Sequence, residues 1–493
     1  MHIKDAISAI RLVRRNFLKG AGTLTMISAF STEPRAEEGN PTEQGSWLDE
    51  KIWGYADKHS VVPGGKINVM LSVPPGSRTV NGYLKFSRIG AASEPELIFE
   101  SGNVAVESHP IPATASSAGA NWVPALFELD TSTWRPGVIT AQFVSEDGKI
   151  DKDIFQLIVR NPQTTDILVK LGTNTYQAYN EWGGSSLYPT KKNSNPGTLV
   201  SFDRPCDPLF FKYDLFLVRF LEKLARERGF TLSYTTDFDV HSAPESALNC
   251  KLLISSAHDE YWTKEIFDVF EDRIHRRGGN TIFMGANAAY WQARFSDFDR
   301  PSDAKDQGRQ LVCCKWAHDP IERRTSREKA SLLITHQFRY RARRPETMLM
   351  GVAFQDWFPA DAEPMRRATY YVSKVDLPYF EGTGWKVGDP AADVVGYEWD
   401  NRDPEGDGKR LWDRDKSLIP EIPSADLEVL FKGPATGLDR GAGVAEAVFF
   451  RSHSGAKVFS TGTTRWSWGL SHPGFTNGPF RRFNTNIILD LLS

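Results

Sequence analysis

The sequence predicts an α/β protein with an all-β N-terminal part, and three observations predict it. Between Trp47 and Arg160, short alternating or apolar runs are separated by Pro-Gly, Asp-Gly and Ser-rich turns, a strand-only pattern. From Ile167 onward, strand-like and helix-like runs alternate. Within that second part, Leu252 to Ala257 reads as a buried strand, and Ile266, Val269, Phe270 and Ile274 fall at helical spacing. Gly278-Gly279 then ends the helix, and Thr281 to Met284 reads as the next strand. Strand, helix and strand in that order make a crossover unit whose two strands are parallel.

Taken in order, the first element is not part of the fold. Arg14-Arg15-Asn16-Phe17-Leu18-Lys19 matches a twin-arginine export signal, and the mild apolar stretch from Ala21 to Phe30 is too short to span a membrane. A signal peptide over residues 1–36, cut after Ala36, predicts a periplasmic or secreted protein with no stable membrane insertion. Six runs follow: Ile67 to Val73, Gly82 to Phe86, Leu97 to Phe99, Ala125 to Leu129, Gly137 to Phe143 and Ile154 to Val159. They predict an immunoglobulin-like β-sandwich over 45–161. Residues 165–493 predict an open, mostly parallel α/β sheet of the glutamine-amidotransferase-like or flavodoxin-like kind. Its parts are the strand Ile167 to Leu171, a helix from Asp214 to Arg228 capped by Gly229, the strand Thr231 to Tyr234, and the crossover unit. After Leu311 the signal weakens into Trp- and Pro-rich loops. Two late strands, Ala447 to Phe450 and Lys457 to Ser460, are expected to rejoin the sheet.

Composition sets the class of partner. With 40% hydrophobic residues, 25% charged residues and a net charge of −3 over 493 residues, no basic surface is available for nucleic acid. The locally basic stretch from Glu322 to Arg344 reads as a solvated face or a docking patch. Cys206, Cys250, Cys313 and Cys314 show no zinc spacing and read as buried thiols. A homo-oligomer or a small accessory subunit is left open.

In open α/β sheets the ligand crevice lies beyond the carboxyl ends of the strands. Four segments leave such ends: Thr175 to Gly184, His258 to Trp262, Gly285 to Trp291, and Thr461 to Trp468. A histidine, carboxylates, tyrosines and an asparagine gather in them. No G-x-S-x-G elbow, Walker loop or H-E-x-x-H helix is present, so a hydrolase would need a metal or an unusual acid–base arrangement. Trp182, Trp291 and Trp468 are candidate walls of the pocket, whereas His241, His318, His336 and His472 read as structural.

Several of these runs resemble the large (beta) subunit of the N,N-dimethylformamidase family. They are Tyr176-Gln177-Ala178-Tyr179-Asn180 with the Trp-Gly-Gly and Ser-Leu-Tyr that follow, Ser201 to Pro205, the His258 run, Gly285 to Ala288, and Gly396 to Asp400. The resemblance implies a mononuclear ferric ion held by two tyrosines and a glutamate, hydrolysing the C–N bond of a small formamide-type amide. It makes Glu260 the glutamate ligand and Tyr179 one tyrosine ligand, and places Lys315 near the pocket. The second tyrosine falls at Ile139, which leaves a ligand missing, with Tyr176 as a conceivable substitute. Anionic oxygen donors suit a hard cation, and His258 and Glu398 are suited to proton transfer, with Asn287 to orient the carbonyl. The competing reading is a non-catalytic periplasmic binding or scaffold protein with a degenerate metal site, which Ile139 favours.

Overall fold

The computed structural model describes residues 51–189, 195–206, 209–296, 308–315, 317–358, 367–402 and 427–493. The export signal and its cleavage point lie outside the described residues. The N-terminal strands are β1 (Trp53–Ala56), β2 (Ser60–Val61), β3 (Lys66–Ser72), β4 (Val80–Arg88), β5 (Glu96–Glu100), β6 (Val104–Val106), β7 (Pro124–Asp130), β8 (Gly137–Ser145) and β9 (Asp151–Val159). All six expected runs are among them. They form a three-stranded sheet, β1-β3-β7, and a larger one ordered β2-β9-β8-β4-β5 with β6 on β4. Val69 and Leu71 of the first sheet share one apolar core with Phe86, Ile139, Phe143 and Leu157 of the second.

Beyond Ile167 come β10 (Ile167–Leu171), helix α1 (Thr173–Tyr179), β11 (Leu199–Ser201), helix α2 (Asp214–Arg228), β12 (Leu232–Thr236) and β13 (Leu252–His258). Next are β14 (Tyr261–Thr263), helix α3 (Lys264–His275), β15 (Asn280–Ala286), β16 (Trp291–Phe295) and β17 (Gln310–Val312). The C-terminal part adds β18 (Ala353–Trp357), β19 (Ala368–Val372), β20 (Pro390–Val395), β21 (Glu398–Asn401), β22 (Glu428–Thr436), β23 (Ala442–Arg451), β24 (Lys457–Ser460) and helix α4 (Gly478–Leu492). Thr263 caps α3 by accepting from the Ile266 N–H, and Gly229 ends α2 in the left-handed conformation that a residue without Cβ adopts freely.

The main sheet has nine strands, ordered β12-β10-β13-β15-β24-β23-β22-β19-β20. The first five are mutually parallel, and the remaining four pairings are antiparallel. The sheet is therefore mixed rather than mostly parallel. Its antiparallel half includes β22, which contains Gly433-Pro434, a pair that reads as a strand breaker in sequence. Both late strands do join the sheet, as β23 and β24. Side chains alternate across it: Ile167, Val169 and Leu171 face the core shared with α2 and α4, and Leu168 faces the core shared with α3. Among the described residues no helix is long and apolar enough to cross a membrane.

One polar group sits inside this sheet. Lys170 of β10 is fully buried, its ammonium bonded to Asp237 and, at 2.7 Å, to Asp259. Asp237 in turn accepts from the Asn174 N–H at 2.8 Å, tying down the start of α1. Breaking a buried pair by removing one partner leaves an uncompensated charge and costs about 3–5 kcal/mol. Lys170→Met should lower the unfolding free energy by that amount in urea titration, and adding Asp237→Asn should restore part of it. A variant as stable as the parent would show that Lys170 does not hold this corner.

Candidate active site

Four adjacent parallel strands, β10, β13, β15 and β24, send their carboxyl-end loops to one place, as the four sequence segments require. At the end of β13, the backbone is bent: Ala257 has φ 39°, and opposite it a Cβ on Gly285 would fall 1.6 Å from the Ala257 carbonyl oxygen. Glycine at 285 is what lets β15 run this close to the bend. Beyond it, side chains alternate. Asp259 turns back to Lys170 and to Ser255, whose hydroxyl lies 2.6 Å away, whereas His258 and Glu260 turn together to the other side. The Thr175 hydroxyl of α1 accepts from the Glu260 N–H at 2.9 Å, so α1 and the Glu260 segment are held as one piece.

Glu260 is the centre of the cluster. Its Oε2 accepts from the Tyr179 hydroxyl at 2.8 Å and its Oε1 from the Tyr188 hydroxyl at 2.5 Å, with the two phenol oxygens 3.3 Å apart. His258 Nε2 lies 2.8 Å from Oε2 of Glu398 and 3.6 Å from Oε2 of Glu260. Neither Nε2 nor Oε2 of Glu398 has an aligned hydrogen-bond partner among the described residues. His258, Glu260 and Glu398 each bring a ligand-capable atom within 4.8 Å of the others, and all three are buried. Asn287 Nδ2 donates to Oε1 of Glu398 at 3.1 Å, and the Asn287 N–H donates to Asp400 at 2.8 Å. The loop after β24 completes the clasp: the Glu398 N–H donates to the Thr464 hydroxyl at 3.2 Å, and the Thr464 N–H donates back to the Glu398 carbonyl at 3.2 Å.

Burial sets the electrostatics. It pushes the Glu260 carboxyl up, and the facing Glu398 adds to that, while Lys315 and His258 oppose it. Burial alone would lower His258, but Glu398, Glu260 and Asp214 more than offset it, and the imidazole is held above its usual value. Burial and the Glu260 charge keep the Tyr179 and Tyr188 phenols neutral donors. The Lys315 ammonium lies 3.1 Å above the centre of the Tyr188 ring and 5.0 Å from the Trp291 ring, and burial brings it down to about 7.

The six sequence-derived site residues, Tyr179, His258, Glu260, Asn287, Lys315 and Glu398, thus meet in one buried cluster. The profile of the family described as N,N-dimethylformamidase beta subunit-like, C-terminal, matches residues 84–478, most of the chain. The chain belongs to that family. No curated protein matches it. Membership in the N,N-dimethylformamidase beta subunit-like family fits the motifs, but the positions of four residues differ from the sequence reading. Ile139 on β8 is buried in the shared core of the N-terminal sheets and is not among the groups around Glu260. Tyr176 turns to a different carboxylate from Tyr179: its hydroxyl donates to Asp214 at 2.8 Å. Trp182 packs on Trp53 and Trp122, and Trp468 on Tyr213 and His472; of the three tryptophans, Trp291 is the one beside Lys315.

Tyr188 is the residue that sequence reasoning passed over. It lies nine positions beyond Tyr179, past Gly183 and Gly184, whose φ values of 83° and 94° fold the chain back. The Leu187 N–H then donates to the Ala178 carbonyl at 2.9 Å, which sets the two tyrosines side by side. Neither helical nor strand spacing encodes that return. The basic stretch is divided: Arg339 pairs with buried Glu346 and Arg344 with Asp268 and Glu271, whereas Arg323 and Arg327 are exposed. All four cysteines are free, and only Cys206 is not buried.

Asp400 gives this site a pH signature. Burial pushes its carboxyl up to about 8, against ~3.9 in an unfolded chain. The folded state holds the proton that the unfolded state has lost, so the stability Asp400 contributes is full below pH ~4 and disappears as pH rises through about 8. Asp400→Asn keeps the acceptor for Asn287 and removes the titration. Relative to this variant, the parent should lose on the order of 4 kcal/mol of unfolding free energy between pH 5 and pH 9. Parallel stability curves for the two proteins would contradict the assignment.

Proposed function

We propose that this family member hydrolyses the C–N bond of a small formamide-type amide with the help of a ferric ion held by Glu260 and Tyr179. The observation that carries the reading is the buried convergence of Glu260, His258 and Glu398 around one point, in a chain of this family. The donor set fits a hard cation: carboxylate and phenol oxygens, and buried His258 Nε2 and Glu398 Oε2 atoms that lack an aligned partner among the described residues. When bound, such an ion polarises a carbonyl oxygen and acidifies water.

The chain's own groups do the rest. In its neutral form His258 takes the proton of the attacking water, and Glu398, 2.8 Å away, steadies the imidazolium that results. The same proton passes to the amine nitrogen as the C–N bond breaks. Asn287 gives one Nδ2 hydrogen to Glu398 and offers the other to the carbonyl oxygen, where negative charge develops. The Lys315 ammonium offsets the charge of Glu260.

The test is amine or ammonia release from a panel of formamides and acetamides, alongside elemental analysis. Losing a positioned acid–base group costs ~10²–10⁴-fold in rate. His258→Ala should therefore fall by that factor yet keep its iron, and Glu260→Ala should lose iron and activity together. Equal turnover by His258→Ala and the parent would sink the mechanism. A parent protein that holds no iron and turns over no amide would favour the binding-protein reading instead.

Export belongs to the same proposal. Replacing Arg14 and Arg15 with lysine should leave the protein in the cytoplasm, because the paired arginines are what the translocation receptor reads. Undiminished recovery from the periplasm would reject it.

A further inference from the structure

We propose that a cleft between the larger N-terminal sheet and helix α2 binds an α-amino acid with an apolar side chain. The site shares no residue with the crevice at Glu260 and does not rest on the amidase reading. Ile89, Val138 and Ile158, on the outward face of that sheet, belong to one core with Leu217 and Leu221 of α2. Two contacts fix how helix and sheet stand to each other. Arg88 pairs with Glu222 at 2.8 Å, and the Arg219 guanidinium donates to the Ser93 carbonyl at 2.7 Å. Past Val138 on the same face lies a cleft of about 550 Å³, within the ~300–1,000 Å³ range of small-molecule sites.

Strand register decides what the cleft can hold. Lys85 of β4 stands opposite Gln142 of β8, and Gln142 stands opposite Asp153 of β9. All three line the cleft. Side chains stand roughly perpendicular to a sheet, so its floor presents a cation, an amide and an anion in one row. Neither Lys85 nor Asp153 forms an ion pair among the described residues. Two strand spacings of ~4.8 Å put their stems ~9.6 Å apart. An amino acid keeps its ammonium and carboxylate ~3 Å apart, and a charge-assisted hydrogen bond at each end adds ~2.8 Å. Those lengths together come close to the distance between the stems, with Gln142 midway to bridge both ends. The facing wall is apolar: Leu215 of α2, and Phe211 just before the helix, suit an aliphatic or aromatic side chain. Arg219, one turn beyond Leu215, closes that wall against Ser93. A simple amine or a simple organic acid would meet one of the two charges and leave the other unanswered.

The experiment is isothermal titration calorimetry of the full-length protein with L-leucine and with L-phenylalanine. The controls are 4-methylpentanoate, which is leucine without its ammonium, and 3-methylbutylamine, which is leucine without its carboxylate. L-Leucine or L-phenylalanine should bind saturably at one site, and both controls should bind at least ~10-fold more weakly. Lys85→Met and Asp153→Asn, each close in size to the parent residue, should weaken amino-acid binding by a similar factor. Should either variant fold poorly, the two controls on the parent protein decide alone. If neither amino acid binds at millimolar concentration, or either variant binds it as the parent does, the cleft is not an amino-acid site. A control that binds as tightly as L-leucine would reduce the site to a single charge and overturn the assignment. Glu260→Ala should bind L-leucine like the parent; loss of binding there would place the amino acid in the crevice and overturn it as well.

Discussion

The site depends on a single buried cation that takes no part in it. Lys170 stands inside the main sheet and draws two carboxylates to itself. One of them, Asp259, is thereby turned away from the crevice, and in an extended chain this commits Glu260 to the opposite side. The other, Asp237, accepts from the Asn174 N–H and the Thr173 hydroxyl, and so anchors the helix that carries Tyr179. Glu260 and Tyr179 are both aimed by one ammonium on the far side of the backbone. Placing an ion pair in a core is expensive, and its use here is positional.

The crevice is organised differently from that corner. The groups that compensate Glu260 are a histidine, a lysine brought down to about 7, and a neutral phenol. Left-handed backbone at Ala257, Asn287, Ala289 and Lys315 surrounds the same place. Conformations of this kind cost energy for residues with a Cβ and persist where the surrounding structure over-determines them. Their concentration here, together with the near-contact of Gly285 and Ala257, marks a locality whose geometry is imposed by the fold rather than chosen by local preference.

Legibility in the sequence followed the range of the interactions involved. The unit β13-α3-β15 could be read because its signals are local: an apolar run, a helical face, a pair of glycines. From it the meeting of His258, Glu260 and Asn287 at strand ends follows. Asp259 was legible as a carboxylate but not as a partner of Lys170, since a lysine at the centre of a strand carries no mark of burial. Tyr188 stayed hidden because a double-glycine turn, not a periodicity, brings it back to Tyr179. The antiparallel half of the sheet was masked by Gly433-Pro434 and by long connections, and Trp182 and Trp468 pack on residues far away in the chain.

The clasp between the loop after β24 and the strand that bears Glu398 also orders events in time. Thr463 accepts from the Gly396 N–H at 2.9 Å, and Thr464 holds Glu398 by its backbone in both directions. A growing chain has therefore made Tyr179, His258, Glu260, Asn287, Lys315 and Glu398 well before it makes the residues that hold the last of them in place. Domains fold as units while synthesis proceeds from the N-terminus, so here the groups of the cluster are made before they can be held together. The finished geometry is assembled only once the loop around Thr464 has emerged, so a chain that stops short of it lacks the cluster.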